Sequence, residues 1–479
     1  MVTTGTLQLG PAPDAMMQRC KEAHSSAYPI LQSESSRMGF TSSPRKRLVG
    51  DIFLESTSTL IGQLAHEPKH APFNSARGKL SLMSSPSSSW VPPRPDPEIS
   101  RAISLINFSA LCQIGFALRQ CTCNPEVYTH GGVNLVFELL FEDGVAWIAR
   151  IRRPDNQYPS SGVDRVLESE VATTQFLHDN TTIPVPAVFY HDARFGIDNS
   201  IGLPYLLMEA MPGHRLYGGG RSDFIPDAYK SKVYRQVTDF AMHLLDHPFT
   251  EIGMLFADSS APSLVRVGQI YDQHWRISPI GPFTDSHQFY LSRWLALNQF
   301  YASTPMAPTA YRLADPDKIV SDTEMPEAIK SIVDPRTKFG PFYLAHPDYQ
   351  IGNFLFDDQY NITALIDWSG CQIVPLESFL NQPEMIVPEA ERFLDVTWGA
   401  LATAQLRTEW ASRRARYFAI FKEEIRKRKD IDVMVIYDVM DSDRPFFASC
   451  LDTAGIAGVR TYFRKAEFKR FLDEQCGTA

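Results

Sequence analysis

The sequence predicts an α+β fold in two lobes, a small β-rich lobe followed by a larger helical one, behind a disordered N-terminal tail. Three observations carry this expectation: a long Ser- and Pro-rich start, two consecutive runs with every odd position apolar between residues 133 and 151, and a change to helical periodicity after about residue 211. The expected organisation is a tail over 1–97, a β-rich lobe over 98–211 and a helical lobe over 212–479, with a chemistry-bearing loop at 344–368.

The start of the chain culminates in Ser84-Ser85-Pro86-Ser87-Ser88-Ser89 and Pro92-Pro93-Arg94-Pro95-Asp96-Pro97. Such a composition cannot bury enough apolar surface to offset chain entropy, so disorder is expected. Arg45-Lys46-Arg47 reads as a solvated charge run rather than a sorting signal. Arg19, Lys21 and a shortage of early acids admit a mitochondrial presequence, but no clean amphipathic helix supports one.

In the β-rich lobe, Val133 to Phe141 is apolar at every odd position, Glu142-Asp143-Gly144 supplies a turn, and Val145 to Ile151 repeats the alternation. That is a hairpin, and it projects Arg150 and Arg152 from one face. From Asp164 to His178 the apolar spacing predicts a helix with Leu167, Val171, Thr174 and Leu177 on one side. Glu170 falls within that arc, whereas Glu168 points away. A carboxylate on a packed face needs a positive partner, and the hairpin offers Arg150 or Arg152; a helix rotated to expose Glu170 is the alternative. Thr182-Ile183-Pro184-Val185-Pro186 breaks the helix, and Pro204 to Glu209 reads as a buried strand running into Ala210-Met211-Pro212-Gly213, where the lobe boundary is expected. Beyond it, Val233 to Leu245 and the stretch from about Pro388 to Arg428 read as helices.

The 479 residues, 44% hydrophobic and 11% aromatic, can build a substantial core. A net charge of -9 argues against nucleic acid or an anionic membrane as main partner and favours a polar or cationic small molecule. Seven scattered cysteines read as reduced thiols, with Cys121 and Cys123 a weak metal hint. No stretch reaches the roughly 18 uninterrupted apolar residues of a membrane span, so a cytoplasmic protein without membrane insertion is expected.

The chemistry concentrates between Phe342 and Trp368. A strand ends in His346-Pro347-Asp348-Tyr349-Gln350-Ile351-Gly352-Asn353, a short hairpin follows, and its second strand finishes in Ile366-Asp367-Trp368. Asp and Asn are commonly just turn residues. Here, however, rigid strands deliver three oxygen-bearing side chains to one place. Phosphoryl transfer needs such a set: oxygen ligands for a divalent metal and a carboxylate to orient and deprotonate the attacking hydroxyl. His346 reads as a loop organiser, because a carboxylate is already placed to take the proton and no other His or Cys lies at zinc-ligand spacing.

These residues resemble the aminoglycoside phosphotransferase or choline kinase-like family, especially its fungal branch, over about residues 105 to 385. The resemblance implies a protein-kinase-like fold with ATP and Mg²⁺ between the lobes and a small-molecule hydroxyl as phosphate acceptor. It assigns Asp348 as the catalytic residue and Asn353 and Asp367 as metal ligands. Gly131 and Gly132 with Asn134 resemble the family's phosphate-covering turn, and Trp147-Ile148-Ala149-Arg150 its third strand. Glu170 matches the helix acid that pairs with the third-strand cation, and Met208 and Glu209 match the adenine-binding hinge. Strand parity alone does not separate Arg150 from Arg152; the resemblance selects Arg150. Two departures stand out. Pro347 occupies a common glycine position, which stiffens the loop but keeps the Asp-to-Asn spacing. Arg replaces the third-strand Lys of protein kinases, and its fork can hold phosphate oxygens in pairs. The Asp-Phe-Gly and Ala-Pro-Glu segments of protein kinases are missing, and the rival expectation is a pseudokinase that binds nucleotide without chemistry.

Overall fold

A computed structural model describes residues 96–154, 162–216, 225–258, 260, 264–271, 278–303, 323–381, 383–386, 404–452 and 471. The expected tail up to residue 95 and the helical expectation for 388–403 lie outside the described residues. The first helix, α1 (Pro97–Ser104), carries proline at its start and is capped by the Asp96 side chain, which accepts from Glu98 N–H at 2.8 Å. Asp96 and Pro97 therefore belong to the folded part rather than to the tail, because proline needs no amide partner in a first turn. Helix α2 (Phe108–Arg119) follows, capped by Asn107.

Next come strands β1 (Cys123–His130), β2 (Asn134–Phe141) and β3 (Ala146–Arg152), then helix α3 (Val163–Asn180) and strands β4 (Val188–Asp192) and β5 (Tyr205–Glu209). They form one antiparallel sheet in the order β1-β2-β3-β5-β4. The expected hairpin is β2–β3, with Val136 opposite Arg150 and Leu139 opposite Trp147. Alternation works here because one face of the sheet is covered: Leu135, Phe137, Leu139, Ala149 and Ile151 are buried with Leu111 and Ile114 of α2 in one cluster. Strands β1 and β4 and helices α1 and α2 were not legible as periodic runs.

The remaining described elements are α4 (Asp227–Leu245), β6 (Met254–Ala257), β7 (Val265–Gly268), α5 (Ser286–Ser303), α6 (Met325–Ile332), β8 (Tyr343–Ala345), β9 (Phe354–Phe356), β10 (Ile362–Leu365), β11 (Gln372–Val374), α7 (Leu376–Phe379), α8 (Ala404–Ile425), α9 (Val433–Asp441) and α10 (Arg444–Asp452). A second, larger core joins α4, α5, α6 and α8 to the strands around the chemistry-bearing loop. It also takes in Val166, Leu177, Ile183 and Val185, so α3 and the segment after it pack with the helical lobe although they precede the expected boundary. Burial, not chain order, decides that membership. Among the described residues no single helix is long and apolar enough to cross a membrane; α1 and α2 pass that test only as a pair bent by 56°. Their Ile99, Ala102, Leu111 and Ile114 are buried in the small-lobe core.

Candidate active site

Four short strands place the loop. β8 pairs with β11, with Ala345 opposite Gln372, and β9 pairs with β10, with Phe354 opposite Leu365. The loop leaving β8 carries His346 and Asp348, and a single helical turn, Ile351–Asn353, brings Asn353 to the foot of β9.

His346 organises that loop. Its Nε2 lies 3.0 Å from the Ile366 carbonyl and its Nδ1 accepts from Asp348 N–H at 3.1 Å, so a neutral ring with the proton on Nε2 satisfies both. The ring centroid lies 4.6 Å from that of Trp368, itself buried and bonded through its indole N–H to Leu365 O. Burial pushes the imidazole pKa down to about 4, which keeps it neutral.

Asp348 is half-buried, and burial raises its carboxyl above the ordinary range. Two side chains donate to its Oδ2: Gln350 Nε2 at 2.8 Å and Asn353 Nδ2 at 3.0 Å. Asn353 Nδ2 also donates to the Asp348 carbonyl at 2.8 Å. Since the amide nitrogen is engaged, the Asn353 carbonyl oxygen is the end available to a cation.

Asp367 follows β10 at φ +67°, in the left-handed region that costs a non-glycine residue about 1 kcal/mol or more. Its side chain is 46% exposed and its Oδ1 accepts from Arg150 Nη1 at 3.1 Å. Arg150 Nη2 meets Glu170 Oε2 in a closely buried pair, the two side chains 10% and 4% exposed. The helix face was thus read correctly as to Glu170, and Arg150 is the residue that reaches it. Burial pushes the Glu170 carboxyl up to about 7 against the opposing pull of Arg150; a hydrogen bond with Ser369 also holds it. One cation therefore joins the third strand, the helix and the loop after β10.

The hairpin β9–β10 is anchored on every side. Leu365 N–H donates to Pro184 O at 2.9 Å, tying it to the segment after α3. His214 and Phe356 exchange backbone bonds at 2.9 Å in each direction, and Thr363 Oγ1 donates to Pro212 O at 2.6 Å. Gly213 between them has φ +107°, and a Cβ there would sit 2.9 Å from Phe356 O. From α4, the Gln236 side chain accepts from Ile362 N–H at 2.8 Å and donates to Tyr360 O at 3.2 Å.

The other predicted residues lie in the sheet. Gly131 and Gly132 form the turn between β1 and β2; Gly131 N–H donates to Asn134 O at 3.0 Å, and Arg153 donates to both glycine carbonyls. A Cβ on either glycine would meet nothing within 4 Å. Among the described residues, the hydrogen bonds of this turn run to Asn134 and Arg153 and do not reach the loop at 344–368. Met208 pairs with Ile148 and Val188 inside the sheet. Glu209 turns its carboxylate back to Ala187 N–H at 3.2 Å while its own N–H donates to Ala187 O, so its side chain fastens the end of β5. Cys123 is buried in β1, and no cluster of three His, Cys, Asp or Glu among the described residues is arranged to hold a metal.

A model of the phosphotransferase enzyme family matches residues 126–377, more than half of the chain. This chain belongs to the phosphotransferase enzyme family. The match runs from β1 through the Asp348 loop to the start of α7, which covers every site residue described above. Subtelomeric hrmA-associated cluster proteins of two Aspergillus fumigatus strains are 24% identical over 298 residues, covering 51% of this chain and 57% of theirs. The chain thus spans just over half the length of the curated relatives it matches. Among solved structures, it is similar to a macrolide 2'-phosphotransferase of Brachybacterium faecium (13% identity, 74% of this chain and 96% of that one, TM-score 0.37). It is also similar to an ethanolamine kinase of Plasmodium vivax (11% identity, 72% and 85%, TM-score 0.34). The family membership rests on the sequence match and not on these superpositions.

Two parts of the site were beyond sequence reasoning. Gln350 was visible only as a loop residue two places after Asp348, with no pattern to mark it. The direct Arg150–Asp367 pair joins residues 217 apart and leaves no local signal.

Proposed function

We propose that this protein is an ATP- and Mg²⁺-dependent phosphotransferase that moves the γ-phosphoryl group to a hydroxyl of a small molecule. The observation that supports it most is the gathering of Asp348, Asn353 and Asp367 in one loop and hairpin, with Arg150 bridging from Glu170 to Asp367. The donor set fits the hard cation: the Asn353 carbonyl oxygen and the half-exposed Asp367 carboxylate are both oxygen ligands, and Mg²⁺ needs only one or two from protein when phosphates and water complete its shell. When bound, Mg²⁺ supplies charge neutralisation at the phosphate oxygens.

The residues then divide the work. Asp348 accepts the proton of the acceptor hydroxyl as its oxygen bonds to the γ-phosphorus and the bond to the β-phosphate oxygen breaks. A carboxyl raised by burial is a better base than a solvated one. Arg150 holds phosphate oxygens, and Glu170 holds Arg150. Met208 and Glu209 border the adenine, and the turn of Gly131, Gly132 and Asn134 lies over the phosphates. The acceptor is a polar or cationic small molecule, consistent with the chain's net charge of -9. Incubating the protein with labelled ATP, Mg²⁺ and a metabolite extract, followed by mass spectrometry, tests the reading: a phosphorylated small molecule is expected. Tight ATP binding without any transfer across a broad panel would replace it with the pseudokinase.

A further inference from the structure

We infer that Gln350 is a positioning residue that fixes which oxygen of Asp348 does the chemistry, an inference that rests on the functional reading above. Gln350 Nε2 and Asn353 Nδ2 converge on Oδ2 of Asp348, at 2.8 and 3.0 Å, and no hydrogen bond within the described residues reaches Oδ1. Two donors on one oxygen hold the carboxylate plane against rotation about the Cβ–Cγ bond, which is otherwise a broad, nearly two-fold torsion. Oδ2 is thereby the held oxygen and Oδ1 the one presented to the acceptor hydroxyl.

Asn353 divides its two amide N–H donors. Its Nδ2 is shared between Oδ2 and the Asp348 backbone carbonyl at 2.8 Å, and its other end is the oxygen proposed to face the metal. Gln350 sits in the same loop, immediately before the Ile351–Asn353 turn that it introduces with an extended backbone, φ -88° and ψ 159°. Its backbone carbonyl accepts from Asn353 N–H at 3.1 Å. The main chain of Gln350 therefore positions Asn353, and its side chain positions Asp348. As a neutral donor it orients the carboxylate without neutralising it, whereas a lysine there would compete for its charge.

The test uses the full chain with Mg²⁺ and ATP, water serving as acceptor, and compares wild type with Gln350→Met, Gln350→Glu and Asp348→Asn. Gln350→Met keeps the length of the side chain and removes the donor. It is expected to lower the rate of ATP hydrolysis roughly tenfold while KM for ATP stays within about twofold, a split that a general loss of fold would not produce. Gln350→Glu places a second carboxylate against Oδ2 and is expected to lower the rate further. Asp348→Asn should lower hydrolysis about a hundredfold or more, and adding Gln350→Met to it should cost nothing more. Wild-type hydrolysis by Gln350→Met, with Asp348→Asn impaired, would overturn the inference and leave the functional reading standing. Full hydrolysis by Asp348→Asn would overturn the reading and the inference together. If hydrolysis of ATP by water is too slow to follow, a crystal structure of Gln350→Met decides: a rotated or split Asp348 carboxylate supports the inference, and an unchanged one rejects it.

Discussion

Arg150 and Asp367 meet at 3.1 Å across 217 residues of chain, while the second terminal nitrogen of the same guanidinium lies on Glu170. Removing one member of a buried pair leaves an uncompensated charge, at a cost of about 3 to 5 kcal/mol. Glu170→Gln is therefore expected to destabilise the fold and to lower turnover of Mg-ATP, because Arg150 loses the carboxylate that aims it. Arg150→Met should show strong non-additivity with Glu170→Gln, about 1 kcal/mol or more in a double-mutant cycle read by denaturation and by nucleotide affinity. Additive effects would break the pairing assigned to these residues.

Asp348 and Asp367 lie close enough to interact electrostatically but carry different expectations. Asp348→Asn keeps size and polarity and removes the proton acceptor, so turnover should fall about a hundredfold or more while ATP affinity holds. Asp367→Asn removes the anionic charge of the proposed metal ligand, so Mg²⁺-dependent nucleotide binding and turnover should weaken together, with partial rescue by excess Mg²⁺. Nucleotide titrations and rates on both variants separate the roles; full activity in Asp348→Asn would remove the carboxylate from the reaction.

His346 gives a pH dependence with a definite sign. Its pKa is about 4 in the fold against an ordinary 6.5, so between those values the unfolded chain takes up a proton that the folded chain refuses. Its contribution to stability is complete above about pH 6.5 and falls as pH drops towards 4, by about 3 kcal/mol at the limit. Glu170, whose carboxyl is raised to about 7, acts in the opposite direction over an overlapping range, so the raw profile mixes the two. The difference in unfolding free energy between wild type and His346→Gln isolates the imidazole. A flat difference from pH 7 to 4.5 would mean that the ring protonates within the fold.

Gly213→Ala tests how firmly the linker after β5 is joined to the β9–β10 hairpin. The backbone there is left-handed at φ +107°, and the new Cβ would press on Phe356 O, which is backbone and cannot swing away. A loss of about 2 kcal/mol or more is expected in chemical unfolding, with weaker Mg²⁺-dependent nucleotide binding because Phe356 lies three residues past Asn353. Wild-type stability would show that the linker can part from the hairpin at little cost.

Some elements were legible because their information is local. The hairpin β2–β3 is apolar at every odd position since one sheet face is buried, and the α3 face could be drawn around Glu170 at helical spacing. The face itself is rotated slightly: Val166 is buried, whereas Leu167 is only half-buried. Strand β1 escaped notice because its register shifts between Pro125 and Tyr128, which erases a period-two pattern, and helix α2 because its outer face is apolar as well, with Phe116 and Leu118 exposed opposite the buried Leu111 and Ile114.

The spacing of Asp348, Asn353 and Asp367 on a strand, a turn and a two-stranded hairpin was determined by the sequence alone, because each lies within a few residues of the strand that holds it. What the tertiary structure decided is everything that needs distant chain to meet. β3 offers Arg150 and Arg152 from one face, and only the packing of α3 and the loop after β10 brings Glu170 and Asp367 to Arg150. The same packing fastens the hairpin to Pro184, His214 and Gln236. Alternation along a strand fixes the side on which a residue projects; which partner waits there depends on how the rest of the chain is folded over it.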